Sequence, residues 1–247
     1  MVLLEFQTFL IAGLLNTLRL SVAMVIGATM FAIVFAAGLS TSSWFLRRPA
    51  YLIVECVRDL PLMVTVLLIY FVLPSVGLSM NPFWSATLSV SRWGGANGAH
   101  AIRAGLLAVP NAQRETARAF GMSGWKGFFL IILPQAMPTI LPPYVSLITA
   151  WVQATSLAAV IGEPELFHSA QIIIEQTTIS RGGSPAFLVY GAILVVYFLL
   201  CWVVSLAGRG LERAFAKPLA ADAASRIHKS NDGVDVPTVV VPADGRT

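Results

Sequence analysis

Charge is scarce in this sequence, and the scarcity excludes whole classes of protein. Asp, Glu, Lys and Arg make up 11% of the 247 residues, against about a quarter in an ordinary soluble domain. Hydrophobic residues make up 57%, and the mean hydropathy is +0.78. Such a chain is not a disordered segment, a coiled coil or an ordinary cytosolic enzyme. Cysteine is equally sparse. Cys56 and Cys201 are the only two, too few for a disulfide scaffold or a thiolate metal site, and their apolar surroundings predict buried small hydrophobes. His100, His168 and His228 are scattered, with no H-E-x-x-H run, so no metal site is expected. No Ser-His-Asp arrangement is readable, and no G-x-x-x-x-G-K-[ST] run is present, so this chain does not hydrolyse ATP by itself. The formal charge of +4 comes from basic residues that border apolar runs instead of forming a patch. That points to a lipid bilayer and away from nucleic acid.

What is present is a set of long runs free of charge. Residues 20–46, 60–91, 127–162 and 182–208 contain no Asp, Glu, Lys or Arg. Each exceeds the ~20 residues a helix needs to cross the hydrocarbon, and a backbone facing lipid has to satisfy its own hydrogen bonds. The expectation is an all-α integral membrane bundle with spans near 17–39, 53–74, 127–151 and 186–208. A fifth helix is placed at 83–107 despite Arg92, His100 and Arg103, because only with it do the loop charges alternate between the two sides. Residues 1–16 read as an amphipathic lead-in at the membrane surface, residues 17–216 as the transmembrane domain, and residues 217–247 as a disordered polar tail.

Lys and Arg near the span ends set the orientation. Arg47 and Arg48, then Arg103, Arg114, Arg118 and Lys126, then Arg209, Arg213 and Lys217 fall on one side. Glu163, Glu165, Glu175 and a single Arg181 fall on the other. The expected topology puts the N-terminus outside and the C-terminus in the cytoplasm, with surface or re-entrant helices at 152–185.

One segment on the basic side carries a pattern. Glu115-Thr-Ala117-Arg-Ala-Phe-Gly121 is followed by nine residues and then Ile131-Ile-Leu133-Pro134. Read physically, it is a short helix, a Gly121 break suited to a positive-φ turn, a second short element with Trp125 and Lys126, and a return into the membrane. An amphipathic loop between two spans fits it as well.

E-x-A-x-x-x-G-x(9)-I-x-L-P resembles the signature loop of the permease subunits of bacterial ABC importers. Gly13-Leu-Leu-Asn-Thr17-Leu-Arg-Leu-Ser21, Arg58-Asp-Leu-Pro61-Leu62-Met-Val64, Arg103-Ala-Gly105-Leu, Leu133-Pro-Gln-Ala136 and Thr155-Ser-Leu157 extend the resemblance over roughly residues 9–215, in the polar amino acid branch. The resemblance implies the type I permease fold and uptake of amino acids. It implies that Glu115, Ala117, Gly121, Ile131, Leu133 and Pro134 form a coupling element for a cytoplasmic ATP-binding subunit. Its further implied partners are an external or periplasmic solute-binding protein and a second permease chain, in the bacterial inner membrane. No cofactor is expected on this chain, since ATP and Mg belong to the ATPase. The pattern departs from the branch at Asn97 and His100, where Tyr and Glu are usual, at Gln153 instead of Lys, and at Pro138 instead of Arg. Gln153-x-Thr155-Ser156-Leu157 and Arg58-Asp-x-Pro-Leu-Met look most like glutamate/aspartate permeases. A passive channel or scaffold subunit is the alternative function, and it offers no reason for the coupling loop.

Four further residues are candidates for the substrate path. Arg92 lies about nine residues into its helix, where a guanidinium is expensive. It either faces a substrate carboxylate or snorkels. Gln153, Thr155 and Ser156 either read the polar ends of an amino acid or join helices. Trp44, Trp84 and Trp151 are expected in an aromatic belt. Glu163 and Glu165 are expected to face outside, against a delivery protein or solvent.

Overall fold

The computed structural model describes residues 5–41 and 43–231, with side chains through Phe215. Every described element is helical. In chain order they are α1 (Gln7–Ser40), α2 (Trp44–Asp59), α3 (Leu62–Phe71) with a 3-10 turn (Leu73–Val76), α4 (Pro82–Ala108), α5 (Asn111–Ala119) and α6 (Gly124–Gly127). A π-turn (Phe128–Ile132) then leads into α7 (Leu133–Gln153), a 3-10 segment (Ala154–Ile161), α8 (Leu166–Arg181) and α9 (Ala186–Asn231). Three stretches are long and apolar enough to cross a membrane by themselves: Gln7–Ser40, Gly124–Ile161 and Ala186–Phe215.

The centre of the bundle is α1 against α4, with α7 beside α4. On α1 the buried positions are Gly13, Thr17, Leu20, Ser21, Met24, Ala28, Ala32, Ala36 and Leu39. That is one face at helical spacing, while Ile11, Leu15, Val22, Ile26, Met30 and Ile33 on the other faces stay exposed, as a lipid-facing surface requires. The facing stripe of α4 is small: Gly94, Gly95, Ala96, Gly98 and Ala99 are all buried. A Cβ on Gly95 would collide with Phe31 and sit 3.0 Å from the backbone nitrogen of Ala32, so the two backbones touch only because that position is glycine. This explains why the fifth helix scores poorly on hydropathy. It is packed among other helices and need not be apolar towards lipid. At 27 residues it is about 40 Å long, enough to span.

Several expectations need correction. The second span is not one helix over 53–74. Pro61 has no N–H to donate and restricts Leu60 to an extended conformation (ψ 134°), so α2 stops at Asp59 and α3 restarts at Leu62. The boundary expected at residue 16 is not marked by a break, since α1 is continuous from Gln7. α9 extends to Asn231, and residues 232–247 of the expected tail lie outside the described residues. Trp151 is no belt residue: it is 0% exposed and meets Tyr144 edge-on at 5.6 Å. Trp44 and Trp84 are exposed, as a belt requires. Cys56 is exposed and Cys201 half-buried, both free, so neither is the buried hydrophobe expected of it.

Candidate functional site

The α5–α6 end presents its side chains outward. The C-terminus of α5 closes in a Schellman turn: Met122 N–H donates to Ala117 O at 3.1 Å and Gly121 N–H to Arg118 O at 2.9 Å. Gly121 has φ +68°, a conformation that costs a residue with a Cβ about 1–2 kcal/mol. Ser123 then caps α6, its hydroxyl accepting from Lys126 N–H. Of the candidate residues, Ala117 is buried beside Gly127, Ile131 and Leu133 are half-buried, and Glu115, Gly121 and Pro134 are exposed. Arg114 donates to Leu106 O at 2.8 Å, fixing α5 to the end of α4. The turn also leaves Phe120 77% and Trp125 75% exposed, with Trp125 stacked on Phe129 at 5.6 Å. Sequence reasoning had not singled out Phe120 and Phe129; their signal was aromatic residues beside a glycine turn on a charged loop.

The opposite end does the reverse. Glu163 and Glu165, expected to face outside against a delivery protein or solvent, are 6% and 0% exposed. Glu165 caps α8, its carboxylate accepting from Phe167 N–H at 2.8 Å and His168 N–H at 2.7 Å. The Tyr197 hydroxyl donates to the same carboxylate at 2.9 Å, and the Thr17 hydroxyl at 3.4 Å. Thr17 in turn accepts from Leu166 N–H at 3.0 Å. Burial pushes the Glu165 carboxyl above the usual range, and the four donors pull it back. Thr155 belongs to this knot: it is buried, donates to Val152 O at 2.8 Å and lies 3.3 Å from the Tyr197 hydroxyl. Its hydroxyl therefore lies between its own segment and α9. Ser156 bonds back to Gln153 O at 2.8 Å, and Gln153 is exposed, so the three positions are neighbours with different surroundings.

Arg92 sits between the ends. It is half-buried, its Nε is buried with no hydrogen-bond partner, and it enters none of the ion pairs among the described residues. A second ionic group lies at the joint of α2 and α4. Glu55 pairs with Arg58 at 2.6 Å and lies 3.2 Å from His100 Nε2. His100 stands where the resembled pattern carries Glu, and here the carboxylate comes from α2 instead. Asn97, the other departure, bonds back to Trp93 O at 2.9 Å, and Pro138 lies inside α7.

Residues 28–217 match the family described as binding-protein-dependent transport system inner membrane component. A "Probable glutamine ABC transporter permease protein" of Bacillus subtilis is 33% identical over 84% of this chain and 94% of its own length. A glutamine transport system permease of Escherichia coli K12 is 31% identical over 83% and 91%. Among solved structures, an amino acid ABC transporter crystallised with histidines superposes with a TM-score of 0.75 at 27% identity, over 86% of this chain and 96% of that one. The inward-facing methionine transporter MetNI superposes at 0.69 with 19% identity, over 85% and 98%, a likeness of fold.

Proposed function

The chain belongs to the binding-protein-dependent transport system inner membrane components, and from that premise we propose that it forms the translocation path of an ATP-driven amino acid importer. The observation that carries the reading is the α5–Gly121–α6 element. Its turn is held by backbone bonds, and its aromatic side chains are exposed, so it presents a shaped apolar surface to another chain. The partner is a cytoplasmic ATP-binding subunit, which holds ATP and Mg and supplies the energy. Closure of that subunit moves α5 and α6 as a body, and Arg114 on α5 passes the motion to α4. An external solute-binding protein delivers the amino acid, and a second permease chain completes the path. The N-terminus lies outside and the C-terminus in the cytoplasm, which puts the α5–α6 end inside the cell and α8 outside.

The substrate is a polar amino acid. Arg92 supports an acidic one, because an unpaired guanidinium inside a bundle is costly until an anion reaches it. Gln153 and Ser156 lie on the same path at its outer end.

Reconstitution in liposomes with the two partner proteins, followed by uptake of a panel of labelled amino acids, tests the reading. Uptake should require ATP on the side of the ATP-binding subunit. Equal uptake without ATP would make the chain a passive channel, and no uptake of any amino acid would reject the substrate class. For orientation, a cysteine at Ser180 should react with an impermeant thiol reagent applied outside cells, and one at Ser123 should not, both in a background lacking Cys56 and Cys201.

A further inference from the structure

A cleft of about 530 Å³ opens between the first half of α1, the start of α4 and the Glu163–Pro164 turn. Its volume is within the range of small-molecule sites. Two opposite charges line it and do not meet. Glu163 is 6% exposed and accepts a hydrogen bond from the Asn16 amide at 2.7 Å. Arg19, three residues further along α1, lines the same cleft. Neither belongs to any ion pair among the described residues. A carboxylate withdrawn from water without a cation is expensive, whereas Arg19 is exposed at the rim of the cleft. The opposite charge that each lacks is available across the cleft, yet the gap stays open. Phe83 adds an apolar wall, and Ser169 a hydroxyl-bearing one.

We propose that this cleft recognises the zwitterionic head of an amino acid, with the ammonium on Glu163 and the carboxylate on Arg19. The proposal rests on the importer reading above and adds a holding site at the outer mouth, separate from Arg92. An ammonium there completes the hydrogen bonding of Glu163 beside Asn16, and a carboxylate accepts the fork of Arg19 in bidentate form. A phosphatidylethanolamine head group carries the same pair of charges, and the test has an arm for it.

The test uses the complete transporter in phosphatidylcholine nanodiscs, without nucleotide and without its solute-binding protein. The probe is the tritiated amino acid that the uptake panel finds best carried, competed by its N-acetyl and its α-amide derivatives. In the wild type each derivative should compete about 10-fold or more weakly than the parent, the loss expected for one charged hydrogen bond. In Glu163→Gln the penalty for N-acetylation should vanish while that for amidation stays. In Arg19→Gln the pattern should reverse. A misfolded variant cannot produce that crossed result. Penalties unchanged in both variants, or no binding by a transporter that still carries the amino acid, would overturn the site. Loss of wild-type binding when phosphatidylethanolamine is added to the discs would make the lipid head group the occupant and overturn the amino acid assignment. A transporter that carries no amino acid at all would take down the importer reading and this one together.

Discussion

The two ends of the bundle treat their polar groups in opposite ways. At the α8 end, Thr17, Glu165, Tyr197 and Thr155 come from four separate segments and bond to one another inside the fold. At the α5–α6 end, the backbone satisfies itself through the Schellman turn, and Glu115, Arg118, Phe120 and Trp125 point outward. Both are connections between spans, and both hold a Glu within a short polar stretch. The difference is whether the partners of those groups are in this chain or outside it. Damage at the first end should therefore read out as stability, and damage at the second as coupling.

The sharpest way to break this contrast is Glu165→Ala. It removes the acceptor of four donors in a buried site, and the expected loss is about 3–5 kcal/mol, as for other broken buried networks. Thermal unfolding of the purified chain in detergent should fall accordingly, along with the amount of folded protein in the membrane. Glu165→Gln should show the pH dependence of the site. Because burial raises the folded carboxyl pKa above the unfolded value of 4.5, the folded chain binds the proton more tightly. The stability this adds is fully present below about pH 4.5 and is lost as pH rises through the raised folded value. Wild type should gain stability from this group on acidification, and Glu165→Gln should lack that gain. Wild-type unfolding at Glu165→Ala would mean the knot is ornamental and the two ends do not differ.

Gly121→Leu tests the other end. A leucine at φ +68° strains the turn by about 1–2 kcal/mol, a modest loss spread over a large bundle. Because nothing lies within 4 Å of a Cβ there, the strain is in the backbone alone and reorients α5 against α6. The chain should still insert and fold, while substrate-stimulated ATP hydrolysis by the reconstituted complex collapses. Normal coupled transport in this variant would remove the docking role. Thr155→Val is smaller again. It deletes one hydroxyl from the knot and should cost about 1 kcal/mol of stability, with no change in which amino acid is preferred. A changed preference would return Thr155 to the substrate path.

Much of this architecture was legible in the sequence because it depends on local pattern. The α5–Gly121–α6 element could be read because a helix end needing positive φ selects glycine at one position. The α4 span could be read, in spite of its hydropathy, because charge has to alternate across a membrane. The break at Leu60–Pro61 was available in the same way, and it was missed because the apolar residues on both sides of Pro61 were read as one span. The Glu165 knot was not legible. Its residue types are ordinary, and its partners lie 148 residues away on α1 and 32 residues away on α9, so nothing in the local stretch distinguishes it from a solvated loop. Arg19 was hidden for a related reason. It sits inside a motif whose glycine and threonine drew the reading, and the cleft it shares with Glu163 exists only in the folded chain.

Arg92 belongs to neither end, and it sharpens the contrast by lying between them. Its Nε is buried without a partner, unlike the fully bonded Glu165. Arg92→Gln removes a charge that no ion pair among the described residues balances, so stability should stay within about 0.5 kcal/mol of wild type or rise slightly. If the missing partner is a substrate carboxylate, the effect appears in uptake instead. Transport of glutamate and aspartate should fall by about 10-fold or more relative to glutamine, since one charge-assisted pair is lost for the acidic side chain and not for the neutral one. Uptake of the three, normalised to the amount of inserted protein, reads the difference directly. Equal loss across them would retire the counter-charge. A large drop in stability would mean that Arg92 is held by contacts within the bundle, and that the middle of the molecule behaves like the α8 end.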